Sequence, residues 1–161
     1  MKPQVINIDQ LEAKLISERI PNAPEKYHGA VMAPISGLIG AERLGYNLTI
    51  VPPGKCAFPA HNHYGNEEMF FILRGNGTLR YGNESRQLRA GDFICCPTGG
   101  PETAHQIINT SEAELAYIAV SIMMPVDVCE YPDSNKLGAF GDGLRHMTEV
   151  SANVDYWKGE K

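Results

Sequence analysis

From Leu44 onward the chain is written in short alternating apolar and polar segments, and this pattern leaves few folds open. Leu44 to Val51, Glu68 to Leu73, Thr78 to Tyr81, Ser85 to Ala90, Phe93 to Cys96, His105 to Asn109 and Leu115 to Ile122 each read as a strand of four to eight residues. Turn chemistry separates several of them, at Gly75-Asn76-Gly77, at Gly82-Asn83-Glu84 and at Gly91-Asp92. Regular short strands of this kind cannot bury their apolar faces singly, so they imply an all-β sandwich or barrel. The 161 residues suffice for one well-buried core and are too few for two domains of ordinary size.

The flanks read differently. Asp9 and Glu12 have the spacing of a capping box, and Leu11, Leu15 and Ile16 form an apolar stripe that ends before Pro21. A short N-terminal helix packed on the barrel is the expectation. Residues 21–43 are rich in Pro, Gly and Ala and read as an arm with one or two short strands. Beyond Pro125 few apolar anchors are visible, so an irregular C-terminal arm is expected, held down at its end by the aromatic pair Tyr156 and Trp157. The division is thus residues 1–43 as helix and arm, 44–122 as barrel, and 123–161 as C-terminal arm, one structural domain in all.

Within the barrel segment, His61 and His63 lie two residues apart and share one face of a strand. Glu68 has the wrong parity for a straight strand, but Tyr64-Gly65-Asn66-Glu67 is turn chemistry that resets the phase and returns the carboxylate to the rings. Glu67 then points the other way. Two imidazoles with a carboxylate suit zinc, manganese, iron, nickel or copper without choosing among them.

These residues resemble the first motif of the cupin superfamily, whose places Gly54, His61, His63, Glu68 and Gly75 occupy. Gly91, Pro97, Gly99, His105 and Asn109 resemble the second. The resemblance covers Leu44 to about Ile122. It implies a double-stranded β-helix, a small jelly-roll barrel, with His61, His63, Glu68 and His105 as ligands of one divalent transition metal on its inner wall. Two gaps depart from the family pattern: six residues separate Gly54 from His61, and five separate Gly99 from His105. The second marks a lengthened loop, where Glu102 and Thr103 could overhang the pocket. With His105 the most displaced, a triad of His61, His63 and Glu68 with His105 behind it stays open.

The family spans isomerases, dioxygenases and decarboxylases acting on sugars or organic acids, so the resemblance implies a metal-dependent enzyme with a small-molecule substrate. A barrel that only binds a small ligand is the alternative. Tyr46, Phe58, Ile107 and Tyr117 have the parity or position to line a cavity; His28 and His146 lie outside any ligand spacing. A net charge of -5 with no cluster of Lys and Arg argues against nucleic acid as a partner. The first residues lack the apolar stretch of a signal peptide and no later run would span a bilayer, so a cytoplasmic location without membrane contact is expected. Cys56, Cys95, Cys96 and Cys129 read as free thiols. Met69, Phe71 and Leu73 form an outer strand face too apolar for water, and a homodimer is expected to cover it.

Overall fold

The strand Glu68–Arg74 shows how alternation becomes structure: Phe70 and Ile72 are 7% and 0% exposed on its inner face, while Met69, Phe71 and Leu73 stay half-buried on the outer one. The structure, a computed structural model, describes residues 4–161. Its strands are β1 (Lys14–Leu15), β2 (Val31–Pro34), β3 (Leu44–Val51), β4 (Asn62–His63), β5 (Glu68–Arg74), β6 (Asn76–Tyr81), β7 (Glu84–Arg89), β8 (Phe93–Cys96), β9 (His105–Ile108), β10 (Leu115–Ile122), β11 (Val126–Tyr131), β12 (Lys136–Gly141) and β13 (Leu144–Glu149). They form three antiparallel sheets, ordered β1-β2-β3-β10-β5-β8, β13-β12-β11-β4 and β7-β6-β9. A bridge between His61 and His105, with both backbone N–H groups donating across it, ties β4 to β9.

The core lies between the first sheet, through Val51, Phe70, Ile72 and Tyr117, and the third, through Leu79, Leu88 and Ile107. Burying each large aliphatic side chain there is worth about 1.5–3 kcal/mol. Asn109, fully buried, donates its amide to the carbonyls of Val51 and Ala113 and clamps the end of β9. Gly75 turns β5 into β6 at φ +83, and a Cβ there would sit 2.3 Å from the Glu114 carbonyl oxygen.

Three expectations for the flanks are corrected. The C-terminal segment is not irregular: β11, β12 and β13 form a meander that continues the β4 sheet. Its signal was the two-residue turn Asp142-Gly143, with Gly143 at φ 70, a strong hairpin connection. The N-terminal helix is reduced to a 3-10 turn over Ile8–Gln10, capped by Asn7 and Gln10 instead of Asp9 and Glu12, and one α-turn over Ile16–Arg19. Between them Lys14 and Leu15 pair with β2, because sheet hydrogen bonds satisfy their backbone while Ile16 drops into the core. Tyr156 and Trp157 do not dock: they are 84% and 71% exposed and pack edge-to-face on each other. No helix of the described residues is long and apolar enough to cross a membrane.

Candidate metal centre

His61 precedes β4, His63 ends it, Glu68 begins β5 and His105 begins β9. The intervening turn does what its chemistry implied, bringing the Glu68 carboxylate back to the rings and leaving Glu67 exposed. Oε2 of Glu68 lies 3.1 Å from Nε2 of His105, 3.3 Å from Nε2 of His63 and 3.9 Å from Nε2 of His61. Ligand atoms of His61, His63 and Glu68 all lie within 4.8 Å of one another. His105 joins through Glu68 and His61, but its ring stands 6.3 Å from that of His63.

The outward nitrogen of each ring is held by an acceptor. His61 Nδ1 faces the Pro59 carbonyl at 2.9 Å, His63 Nδ1 faces Asp127 Oδ2 at 2.5 Å, and His105 Nδ1 faces the Thr103 carbonyl at 3.3 Å. An oxygen acceptor keeps a ring proton on Nδ1, which makes Nε2 the atom each ring can offer as a ligand beside Glu68. His63 Nε2 is buried, and its close polar neighbour, Glu68 Oε2 at 3.3 Å, is not aligned as a hydrogen bond. A buried polar atom normally has a partner, so this orphan, with the converging donors, fits a divalent cation.

Electrostatics agrees with a tightly coupled cluster. Burial and the neighbouring His105 lower His61 to about 4. Burial disfavours charge on His63, yet its polar contacts with Cys129 and Glu68 outweigh burial and raise it to about 11. Burial likewise raises Glu68, but the hydrogen bond with His105 and the close His63 ring win and hold its carboxyl well below the usual range.

Two participants were invisible to spacing arguments. Asp127, 6% exposed on β11, accepts from His63, from the Gly65 backbone N–H at 2.8 Å and from the Asn66 amide at 2.9 Å. Cys129 lies opposite His63 across the sheet, its sulfur 3.2 Å from Nδ1. His63, Asp127 and Cys129 are a second group that could hold a metal. All four cysteines are free thiols.

A cavity of about 190 Å³ opens from His61, His63 and Glu68 toward Asn47, Phe58, Phe70 and Tyr117. Phe58 and Tyr117 line it as expected, and Ile107 lines a small crevice beside it. Tyr46 does not: it pairs with Val120 across β3 and β10 on the outer face, and Asn47 takes the inward place. The lengthened loop also departs from expectation. Glu102 turns back onto the Gly100 N–H and Thr103 donates to the Gly100 carbonyl, so both serve the loop itself. Gly99 instead donates to the His63 carbonyl, which steadies the metal-site strand. His28 and His146 stand apart from the site.

A cupin domain model matches residues 47–121. Residues 47–121 form a cupin domain. This cupin segment is 36% identical over 72 residues to an uncharacterized protein of Methanocaldococcus jannaschii, covering 45% of this chain and 54% of that one. It is 32% identical over 74 residues to the oxalate-binding protein of Thermotoga maritima, covering 46% and 58%. The matches thus span a little over half the length of these curated relatives. Among solved structures, a sugar phosphate isomerase of the cupin superfamily from Silicibacter pomeroyi superposes with TM-score 0.80 at 18% identity, over 94% of this chain and 97% of that one. The likeness identifies the fold as a double-stranded β-helix.

Proposed function

We propose that this cupin holds one divalent transition metal ion on Nε2 of His61, His63 and His105 and on the carboxylate of Glu68, and acts there on a small polar substrate such as a sugar or organic acid. The observation that carries the reading is the shared arrangement of the three rings, each with Nδ1 bound to an oxygen and Nε2 aimed at one point. A metal at that point supplies a Lewis acid, a bound water of lowered pKa, or a seat for dioxygen, so isomerase, decarboxylase and dioxygenase chemistry all remain within its reach. The protein's part is to shape and dry the space. Phe58 and Phe70 exclude water, and the 190 Å³ cavity holds roughly six water volumes, which limits the reacting portion to a few heavy atoms. Burial pushes Tyr131 up to about 12 and Tyr117 higher still, so both phenols stay protonated at neutral pH and serve as hydrogen-bond donors.

A second reading, capture of a small acid without turnover, is favoured by the 32% identity to an oxalate-binding protein. The two readings separate in one series. Elemental analysis is expected to find one metal per chain. Isomerisation of aldoses and sugar phosphates, and oxygen uptake or decarboxylation with small organic acids, should then show turnover that His61→Ala and Glu68→Gln abolish. Metal-loaded protein that turns over none of these, yet melts higher in the presence of oxalate, would leave the binding reading standing. Protein that takes up no metal at all refutes both.

The outer face of the β3-β10-β5-β8 sheet carries Met69, Phe71, Ile118 and Val120, all half-buried, and Phe93 at 72% exposure, its ring tilted against Phe71 at 4.6 Å. We propose that a second copy of the chain covers it, making a homodimer.

A further inference from the structure

The C-terminal meander presents one face to the barrel mouth. Its register sets Tyr131 of β11 opposite Lys136 of β12, and Phe140 of β12 opposite Arg145 of β13, with Asp127, Cys129, Gly138 and Met147 on the same face by alternation. Asp127 and Cys129 back His63. The rest of the face walls a second cavity of about 380 Å³, whose floor is His61 and Phe58 and whose sides include Tyr131, Lys136, Phe140 and Arg145. His61 and Phe58 line both cavities, so the two adjoin across the His61 ring.

Two basic side chains, Lys136 and Arg145, line this second cavity. Four cations elsewhere are neutralised, in Lys55–Glu25, Arg74–Glu114, Arg80–Asp133 and Arg86–Glu84. Lys136 and Arg145 belong to no ion pair among the described residues. Glu149, directly across the strand pair from Lys136, takes the Ser151 hydroxyl at 3.3 Å instead. Lys136 is half-buried with its ammonium 5.6 Å from the centre of the Tyr131 ring, and that ring stacks 5.9 Å from His61. Arg145 stands at the exposed rim, near enough for its charge to act on Tyr131. Two unneutralised cations thus share an otherwise largely apolar recess one aromatic ring away from the metal site.

We propose that this recess seats the oxyanion end of the substrate, a phosphate ester or a carboxylate, between Lys136 and Arg145, while the other end passes His61 into the metal-site cavity. The guanidinium offers a planar fork to two oxygens and the ammonium a point charge to one of them or, in a phosphate ester, to a third, while Phe140 supplies an apolar wall beside them. A volume near 400 Å³ lies within the range of small-ligand sites. Where the substrate reacts rests on the metal-site reading; the anion seat itself needs no metal.

The test titrates inorganic phosphate and acetate into metal-stripped protein by calorimetry, with metal uptake measured separately. Saturable one-site binding of at least one anion is expected, weakened roughly tenfold in Lys136→Gln and again in Arg145→Gln, and unaltered in Lys55→Gln. Tighter phosphate assigns a phosphate ester and tighter acetate a carboxylate. Bound anion should also slow acetylation of Lys136 in the unmutated protein several-fold, a reading that depends on no variant's folding. Unsaturable uptake of both anions, or equal affinity in a folded Lys136→Gln/Arg145→Gln double variant, overturns the proposal. Metal uptake that persists in that double variant leaves the metal-site reading intact; anion binding without any metal uptake would sink the metal-site reading alone.

Discussion

Replacing Asp127 by Asn tests the role of a residue that touches no proposed substrate yet governs His63. Its two oxygens accept from three nitrogen donors and one thiol: Oδ2 from His63 Nδ1 at 2.5 Å, Asn66 Nδ2 at 2.9 Å and the Cys129 thiol at 3.6 Å, and Oδ1 from the Gly65 N–H at 2.8 Å. An asparagine is the same size but turns one of those acceptors into a donor. With the amide nitrogen in the Oδ2 place, it donates to Nδ1 and drives the ring proton to Nε2, the atom proposed to bind metal. With the amide turned over, its nitrogen meets the Gly65 N–H inside a nearly closed site, at a cost of about 1–3 kcal/mol. Either outcome weakens the metal, and outer partners of ligating histidines are typically worth 10–100-fold. We expect the upper end, about 100-fold or ~2.7 kcal/mol, because the tautomer itself is opposed. Competition against a chromophoric chelator measures it directly. Asp133→Asn is the control: it breaks the exposed Arg80 ion pair and should cost at most about 1 kcal/mol of stability with no change in metal affinity. A metal dissociation constant for Asp127→Asn within threefold of the unmutated protein would show that Asp127 does not orient His63.

Three further outcomes are expected. In metal-free protein the His63 ring holds its proton to about 11, so metal entering at Nε2 must expel it; acid therefore competes, affinity should rise about tenfold per pH unit between roughly pH 6 and 9, and a pH-stat titration at pH 8 should record one proton released per metal. No release would mean the ring is already neutral. Gly75→Ala forces a Cβ to 2.3 Å from the Glu114 carbonyl at φ +83, and urea unfolding should show a loss of about 2–4 kcal/mol, the scale of backbone strain plus local displacement; a loss below 1 kcal/mol would mean the β5 turn yields easily. Sedimentation at micromolar concentration should give a dimer that Phe71→Lys dissociates, whereas an unmutated monomer would leave the apolar sheet face uncovered.

The strands of the barrel were legible because alternation is local: each of Phe70, Ile72, Leu79 and Tyr117 lands on the inner face its parity implies. The same holds for His61, His63 and Glu68, which meet through the turn over residues 64–67 that Gly65 and Asn66 announce. Tyr46 went wrong because a single residue of phase reverses a strand's faces, and Asn47, not Tyr46, points inward. The C-terminal strands were passed over because Asp127, Lys136 and Arg145 interrupt the apolar residues of their inner face, so the apolar count alone could not reveal it.

The chain by itself therefore determined an all-β barrel and the meeting of His61, His63 and Glu68, because strand parity and turn chemistry act over a few residues. Only the tertiary structure decided what stands behind and beside that site. Asp127 reaches His63 from 64 positions away, and Lys136 and Arg145 come to the neighbourhood of His61 only once β11 has paired with β4. Pairings of that kind follow from sheet order and register, which no short stretch of sequence encodes.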